Sequence, residues 1–128
     1  MPEKKAKILI VEDDIDLLEV LIKKFELEKF LVLEAPEGKI GLEEALRNHP
    51  DLILLDIVMP VMDGMTMLMK LREDSWGKNV SVVLLTNLSD ESNVAEAMKH
   101  GVYDYLVKVD WNIEDVVKKV RAKLKNKS

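Results

Sequence analysis

The sequence predicts an α/β fold, a doubly wound, five-stranded parallel sheet, and three observations carry that prediction. Five short runs are apolar on consecutive positions, and five segments between and after them carry apolar residues at helical spacing. The two kinds alternate from one end of the chain to the other without a long linker or a low-complexity segment. Continuous apolarity, unlike strict alternation, marks strands covered on both faces, as parallel strands are.

The first run, "KILIV" (7–11), follows a short charged leader. "DIDLLEVLIKKFELEK" then sets Leu17, Leu18, Leu21, Ile22 and Phe25 on one stripe, with Glu and Lys opposite. The remaining strands are "FLVLEA" (30–35), "DLILLD" (51–56), "SVVLLT" (81–86) and "YDYLVK" (103–108). "GLEEALRN", "MTMLMKLRED", "ESNVAEAMKH" and "NIEDVVKKVRAKL" supply the other helices. Asp14, Asp90 and Asn112 stand where N-caps are useful, and Gly101 stands where a helix ends. A five-stranded sheet of this (βα)5 kind takes the flavodoxin-like order 2-1-3-4-5.

Length and composition bound the function. At 128 residues the chain is expected to form one domain, 1–128, with its core at about 6–125 and enough burial to need neither disulfide nor structural metal. An apolar content of 48% beside 34% charged residues is that of a soluble protein, and no apolar run approaches the roughly 20 residues that span a bilayer. The start lacks the apolar stretch of a signal peptide, and the absence of cysteine agrees with a reducing compartment; a cytoplasmic location is expected, with no membrane partner. Without cysteine there is no thiolate nucleophile or thiolate zinc site. A net charge of −5 argues against direct nucleic-acid binding, which rests on neutralising phosphates. A monomer or weak dimer is expected.

In such a sheet, ligands bind beyond the carboxyl ends of the strands, near the point where the strand order reverses. Those ends carry Glu12, Asp13 and Asp14 after the first strand, Asp56 closing the third, Thr86 the fourth and Lys108 the fifth; the edge strand offers only Glu34. Any one of these is an ordinary turn residue or cap. Together they form a cluster that physics does not leave alone. Two carboxylates about 4 Å apart repel by roughly 4 kcal/mol at an effective dielectric near 20, so the cluster must hold a proton or a cation. An all-oxygen donor set in an open cleft suits Mg²⁺, or Mn²⁺, better than Zn²⁺. A cation on Glu12, Asp13 and Asp56, with an ammonium and a hydroxyl nearby, describes a phosphoryl site.

"ILIVEDD", "DLILLDIVMPVMDG", "VVLLTN" and "DYLVK", in that order and at these separations, resemble the response-regulator receiver domain of two-component signalling over nearly the whole chain, from Lys7 to Leu124. The resemblance implies that Asp56 accepts a phosphoryl group from the phosphohistidine of a sensor histidine kinase or a phosphotransfer protein. It implies that Glu12, Asp13, Asp56 and the backbone carbonyl of Val58 hold Mg²⁺, and that Lys108 and Thr86 bind the phosphoryl oxygens. Tyr105 would be the aromatic switch, with output to an unidentified downstream protein through helix 4, strand 5 and helix 5. Such a domain is no enzyme in the ordinary sense, although it assists its own phosphorylation and dephosphorylation.

Several positions depart from the family pattern. Val109 follows Lys108 where proline, in a cis peptide, is usual; a non-proline cis bond costs about 3 to 4 kcal/mol, so a trans bond is expected. Asn87 is bulkier than the small residue usual after the switch threonine. Val58 and Leu88 cannot orient an attacking water, which predicts slow self-dephosphorylation. These departures keep a degenerate receiver, a phosphorylation-independent binding module, as the alternative. A phosphatase with an aspartyl nucleophile needs a second acid at position 58, which is Val, and a flavodoxin-like electron carrier needs a Ser/Thr/Gly cradle where this chain has "EDDID".

The remaining features read as structure. Met59, Met62, Met65, Met67 and Met69 lack the Cys or His that a copper site wants and read as adaptable core and contact surface. His49 precedes Pro50 in a turn, His100 ends a helix, and Trp76 and Trp111 sit in loops. The basic run from Lys118 to Lys127 reads as the solvated face of the last helix.

Overall fold

A computed structural model describes residues 5–86, 91–108 and 112–125. The elements are β1 (Lys7–Val11), α1 (Ile15–Leu27), β2 (Leu31–Ala35), α2 (Gly38–Asn48), β3 (Leu52–Asp56), α3 (Gly64–Glu73), β4 (Ser81–Thr86), α4 (Glu91–Lys99), β5 (Asp104–Val107) and α5 (Ile113–Lys125). All strand pairings are parallel, in the order β2-β1-β3-β4-β5. Among the described residues no helix is long and apolar enough to cross a membrane.

The two faces of the sheet follow from the pleat. Leu9, Val11, Ile53 and Leu55 point to one side, where they meet α2 and α3 residues such as Ala45, Met67, Leu68 and Leu71. Ile8, Ile10, Leu52 and Leu54 point to the other and meet Leu18, Leu21 and Phe25 of α1 and Val116, Val117 and Val120 of α5. Every residue of the central β3 is buried, as its unbroken apolar run predicts. The edge strands differ: β2 buries only Ala35, and all of β5 is at least partly exposed, because each has a neighbour on one side only.

Local chemistry sets the ends. Asp14 Oδ1 accepts the amide of Leu17 at 3.2 Å, and Asn112 and Asp115 exchange side-chain and amide bonds at 3.0 and 3.1 Å as a reciprocal cap. Gly101, at φ 79°, terminates α4. Two caps have no counterpart among the sequence expectations: Asp63, which accepts the Thr66 amide, and Glu37, which starts α2 three residues earlier than "GLEEALRN" suggests. Asp90 lies outside the described residues.

The methionines divide as expected, with Met67 fully buried, Met59 and Met65 nearly so and Met69 half-exposed. Trp76 is half-buried, and its indole stacks on the imidazole of His49 with ring centres 4.2 Å apart. The basic face of the last helix leaves Lys118, Arg121 and Lys125 exposed, as expected, and it also forms ion pairs. Lys123 lies 2.9 Å and Lys119 3.8 Å from Asp104 of β5, while Arg121 lies 2.8 Å from Glu28, the residue that caps the end of α1. These pairs join α5 to β5 and to the C-cap of α1.

Candidate functional site

The register of the sheet builds the site. Val11 pairs with Leu55, so the next residues, Glu12 and Asp56, leave β1 and β3 side by side. Thr86 closes β4 opposite Val107, and the amide of Lys108, one residue further, donates to the Thr86 carbonyl at 2.7 Å. Carboxylate oxygens of Glu12, Asp13 and Asp56 all lie within 4.8 Å of one another.

Exposure separates the three acids. Glu12 is fully buried, Asp56 is 3% exposed, and Asp13 is open to solvent. Glu12 Oε2 accepts the amide of Asp14 at 3.1 Å. Its Oε1 lies 2.9 Å from the Lys108 ammonium without the alignment of a hydrogen bond, so among the described residues this buried oxygen has a charge beside it but no aimed donor. Asp56 Oδ1 accepts the amide of Ile57 at 2.9 Å and lies 3.2 Å from Lys108 Nζ. Both of these contacts fall on Oδ1.

The electrostatics follow from that packing. Burial, then the neighbouring Glu12, push the Asp56 carboxyl up to about 8, against the opposing pull of Lys108. Burial works to lower the Lys108 ammonium, but Glu12 and Asp56 together outweigh it and raise its pKa above the ordinary value. One ammonium thus serves two buried carboxylates and does not fully neutralise them.

A divalent cation fits this set. The donors are all oxygen, three acids converge from two strand ends, and Glu12 Oε1 is buried without an aligned partner. The exposed Asp13 leaves the cluster open on one side, as a site that keeps water ligands requires.

The segment after Asp56 is clamped at both ends. Gly64 N donates to the Ile57 carbonyl at 2.7 Å, and Gly38 N donates to the Met62 carbonyl at 3.0 Å. A β-carbon on Gly64 would stand 2.2 Å from the Asp56 carbonyl oxygen, and one on Gly38 would stand 2.1 Å from the Met62 oxygen. Gly38 has no counterpart among the sequence expectations; for Gly64 the signal is "MDG" at 62–64, in the turn that follows β3. Between the clamps, Val61 takes φ 66°, a left-handed conformation that is rare for a β-branched residue.

Of the other expected site residues, Thr86 is buried at the end of β4, Val58 is 58% exposed, and Tyr105 is 40% exposed on β5. Asn87, Leu88, Val109 and Trp111 lie outside the described residues, so the expected trans bond after Lys108 does too.

A family model described as "Response regulator receiver domain" matches residues 8–121. Response regulator PleD of Caulobacter vibrioides is 37% identical over 112 residues, 88% of this chain; the chain spans only 24% of PleD's length. Among solved structures, the Vibrio cholerae chemotaxis protein CheY4 superposes with a TM-score of 0.86 at 27% identity, covering 94% of this chain and 99% of that one. A chain of the CheX–CheY–BeF3–Mg²⁺ complex of Borrelia burgdorferi does so with a TM-score of 0.81 at 28% identity, covering 91% and 87%.

Proposed function

The chain belongs to the response-regulator receiver domains, and from that premise we propose that Asp56 is its phosphoacceptor, loaded from the phosphohistidine of a sensor histidine kinase or phosphotransfer protein. The observation that carries this reading is the convergence of Glu12, Asp13 and Asp56 around a carboxyl that Lys108 already contacts. Receiver domains are signalling modules rather than ordinary enzymes, and they interact with histidine kinases or phosphotransfer proteins.

A carboxylate oxygen of Asp56 attacks the phosphorus as the nitrogen–phosphorus bond of the phosphohistidine breaks; an acyl phosphate forms, and the departing imidazole takes a proton from solvent. The attack requires an ionised Asp56, yet burial and Glu12 favour the protonated form. Glu12, Asp13, Asp56 and the Val58 carbonyl would hold Mg²⁺, or Mn²⁺ in its place. Bound there, the ion would supply positive charge beside the carboxyl and the incoming phosphoryl oxygens. Lys108, whose ammonium stands beside both Glu12 and Asp56, pairs with the phosphoryl oxygens. Thr86 donates its hydroxyl to the same oxygens, and the added charge of nearly −2 gives both residues a new partner. Tyr105 follows Thr86 and turns inward, and the α4–β5–α5 surface passes the change to a downstream protein.

Treatment with a small-molecule acyl phosphate and Mg²⁺, followed by intact mass, tests the reading. The wild type should gain one phosphoryl group and Asp56→Asn none; no gain on the wild type overturns it. With Val58 and Leu88 unable to aim a water at the phosphorus, the phosphorylated form should persist for minutes or longer, and loss within seconds would count against that part. The three acids and the lysine favour the phosphoacceptor over the degenerate-receiver alternative, which rests on Asn87 and Val109, outside the described residues.

A further inference from the structure

Helix α4 is held differently from its neighbours. Helix α3 buries Gly64, Met65, Met67, Leu68 and Leu71, whereas among the described side chains of α4 only Ala97 is buried. A helix with so little burial is not fixed along its length by packing.

Its far end, by contrast, is stapled. The guanidinium of Arg72, near the end of α3, donates from Nε to the His100 carbonyl at 2.8 Å and from Nη1 to the carbonyls of Gly77 at 2.7 Å and Val80 at 2.9 Å. One planar fork therefore joins the end of α3, the turn that feeds β4, and the residue after α4. The turn that follows α4 is tight: Val102 N donates to the Ala97 carbonyl at 3.1 Å, and Val102 is 3% exposed. The other end of α4 follows Thr86 of the site in the chain.

We propose that Arg72 is a positioning residue of the switch: it anchors the carboxyl end of α4, so that α4 answers events at Thr86 by pivoting about that end rather than by sliding. This rests on Asp56 being the phosphoacceptor. Arg72 touches neither the acids nor Lys108, so it acts on the coupling of the site to α4 and not on the chemistry.

The chain has no cysteine, so paired labels can be placed cleanly. Ser92 and Met98, exposed at the two ends of α4, would each be paired as cysteine variants with exposed Ala122 on α5. Spin-label distances would be measured with and without beryllium fluoride and Mg²⁺, in the wild type and in Arg72→Lys. The 92–122 distance should shift by about 2 Å or more in the wild type and the 98–122 distance by less than about 1 Å. Arg72→Lys keeps the charge but not the three-way fork. It should widen the 98–122 distribution even without the phosphoryl mimic and abolish the difference between the two ends, while the rate of chemical phosphorylation stays within twofold of wild type. Equal shifts at both ends in the wild type, or an unchanged 98–122 distribution in Arg72→Lys, overturn the anchor. Should Asp56 fail to be phosphorylated in the mass assay, the acceptor reading falls separately, and the mimic-free distribution in Arg72→Lys still decides the anchor. Phosphorylation with no movement of either label overturns the pivot.

Discussion

Nζ of Lys108 stands 2.9 Å from Oε1 of Glu12, a carboxylate with no solvent exposure, although 96 positions separate the two in the chain. The same ammonium lies 3.2 Å from Asp56. Removing one partner of a buried ion pair leaves charge without compensation. Lys108→Met should therefore lower stability by about 3 kcal/mol, with a larger loss at pH 9 than at pH 6, where Asp56 can take up a proton instead. Urea denaturation at the two pH values, without divalent ions, measures it.

Asp56 sets a second dependence on pH. In the folded chain its carboxyl is pushed up to about 8, while unfolded it titrates near 3.8. Between those values the folded state binds the proton that the unfolded state has released, so this group favours folding in acid and its contribution falls as pH rises. Asp56→Asn should accordingly be more stable than the wild type by about 2 kcal/mol or more at pH 8, and the gap should shrink towards pH 4. A gap that does not change with pH would contradict the burial of an ionisable group here.

Added Mg²⁺ should oppose that trend. Its ligands must be ionised, so it should raise the melting temperature more at pH 8 than at pH 5. Asp13→Ala, which removes the solvent-facing acid, should reduce the Mg²⁺-induced rise with little effect on the metal-free protein. An equal rise in the Asp13→Ala variant would place the ion elsewhere.

Gly64→Ala tests the clamp behind Asp56. The new methyl would stand 2.2 Å from the Asp56 carbonyl oxygen and 2.9 Å from the Ile57 α-carbon, both backbone atoms that cannot swing away. Overpacking of this kind costs about 2 kcal/mol. Chemical phosphorylation should slow as well, because the displaced backbone carries Asp56, the proposed acceptor. Thermal melts and the mass assay read the two effects separately.

Val61→Gly should have the opposite sign. Val61 is 79% exposed and makes little packing that could be lost, while its φ of 66° costs a β-branched residue about 1 to 2 kcal/mol. The greater freedom of glycine in the unfolded chain offsets part of the relief. A net gain of about 0.5 to 1 kcal/mol is expected from chemical denaturation, and a net loss would mean that the left-handed turn depends on the valine side chain.

Local pattern in the chain is enough for the alternation of strands and helices, the apolar runs of the sheet, several caps, and the acids and lysine that the strand ends deliver to one edge. These are local matters: periodicity, capping and strand ends are properties of short segments, and the handedness of β-α-β connections then leaves few ways to assemble them. Only the tertiary structure decided that Glu12 is buried and Asp13 exposed, one residue apart, that Lys108 is shared between two carboxylates, and that basic residues of α5 pair with Asp104 and Glu28. It alone brought the guanidinium of Arg72 to the carbonyls of Gly77, Val80 and His100, and the backbone of the Asp56 loop to within touching distance of Gly38 and Gly64. Such facts depend on which distant segments meet and how closely, and a chain's local pattern carries no record of a contact made across 28 or 96 positions.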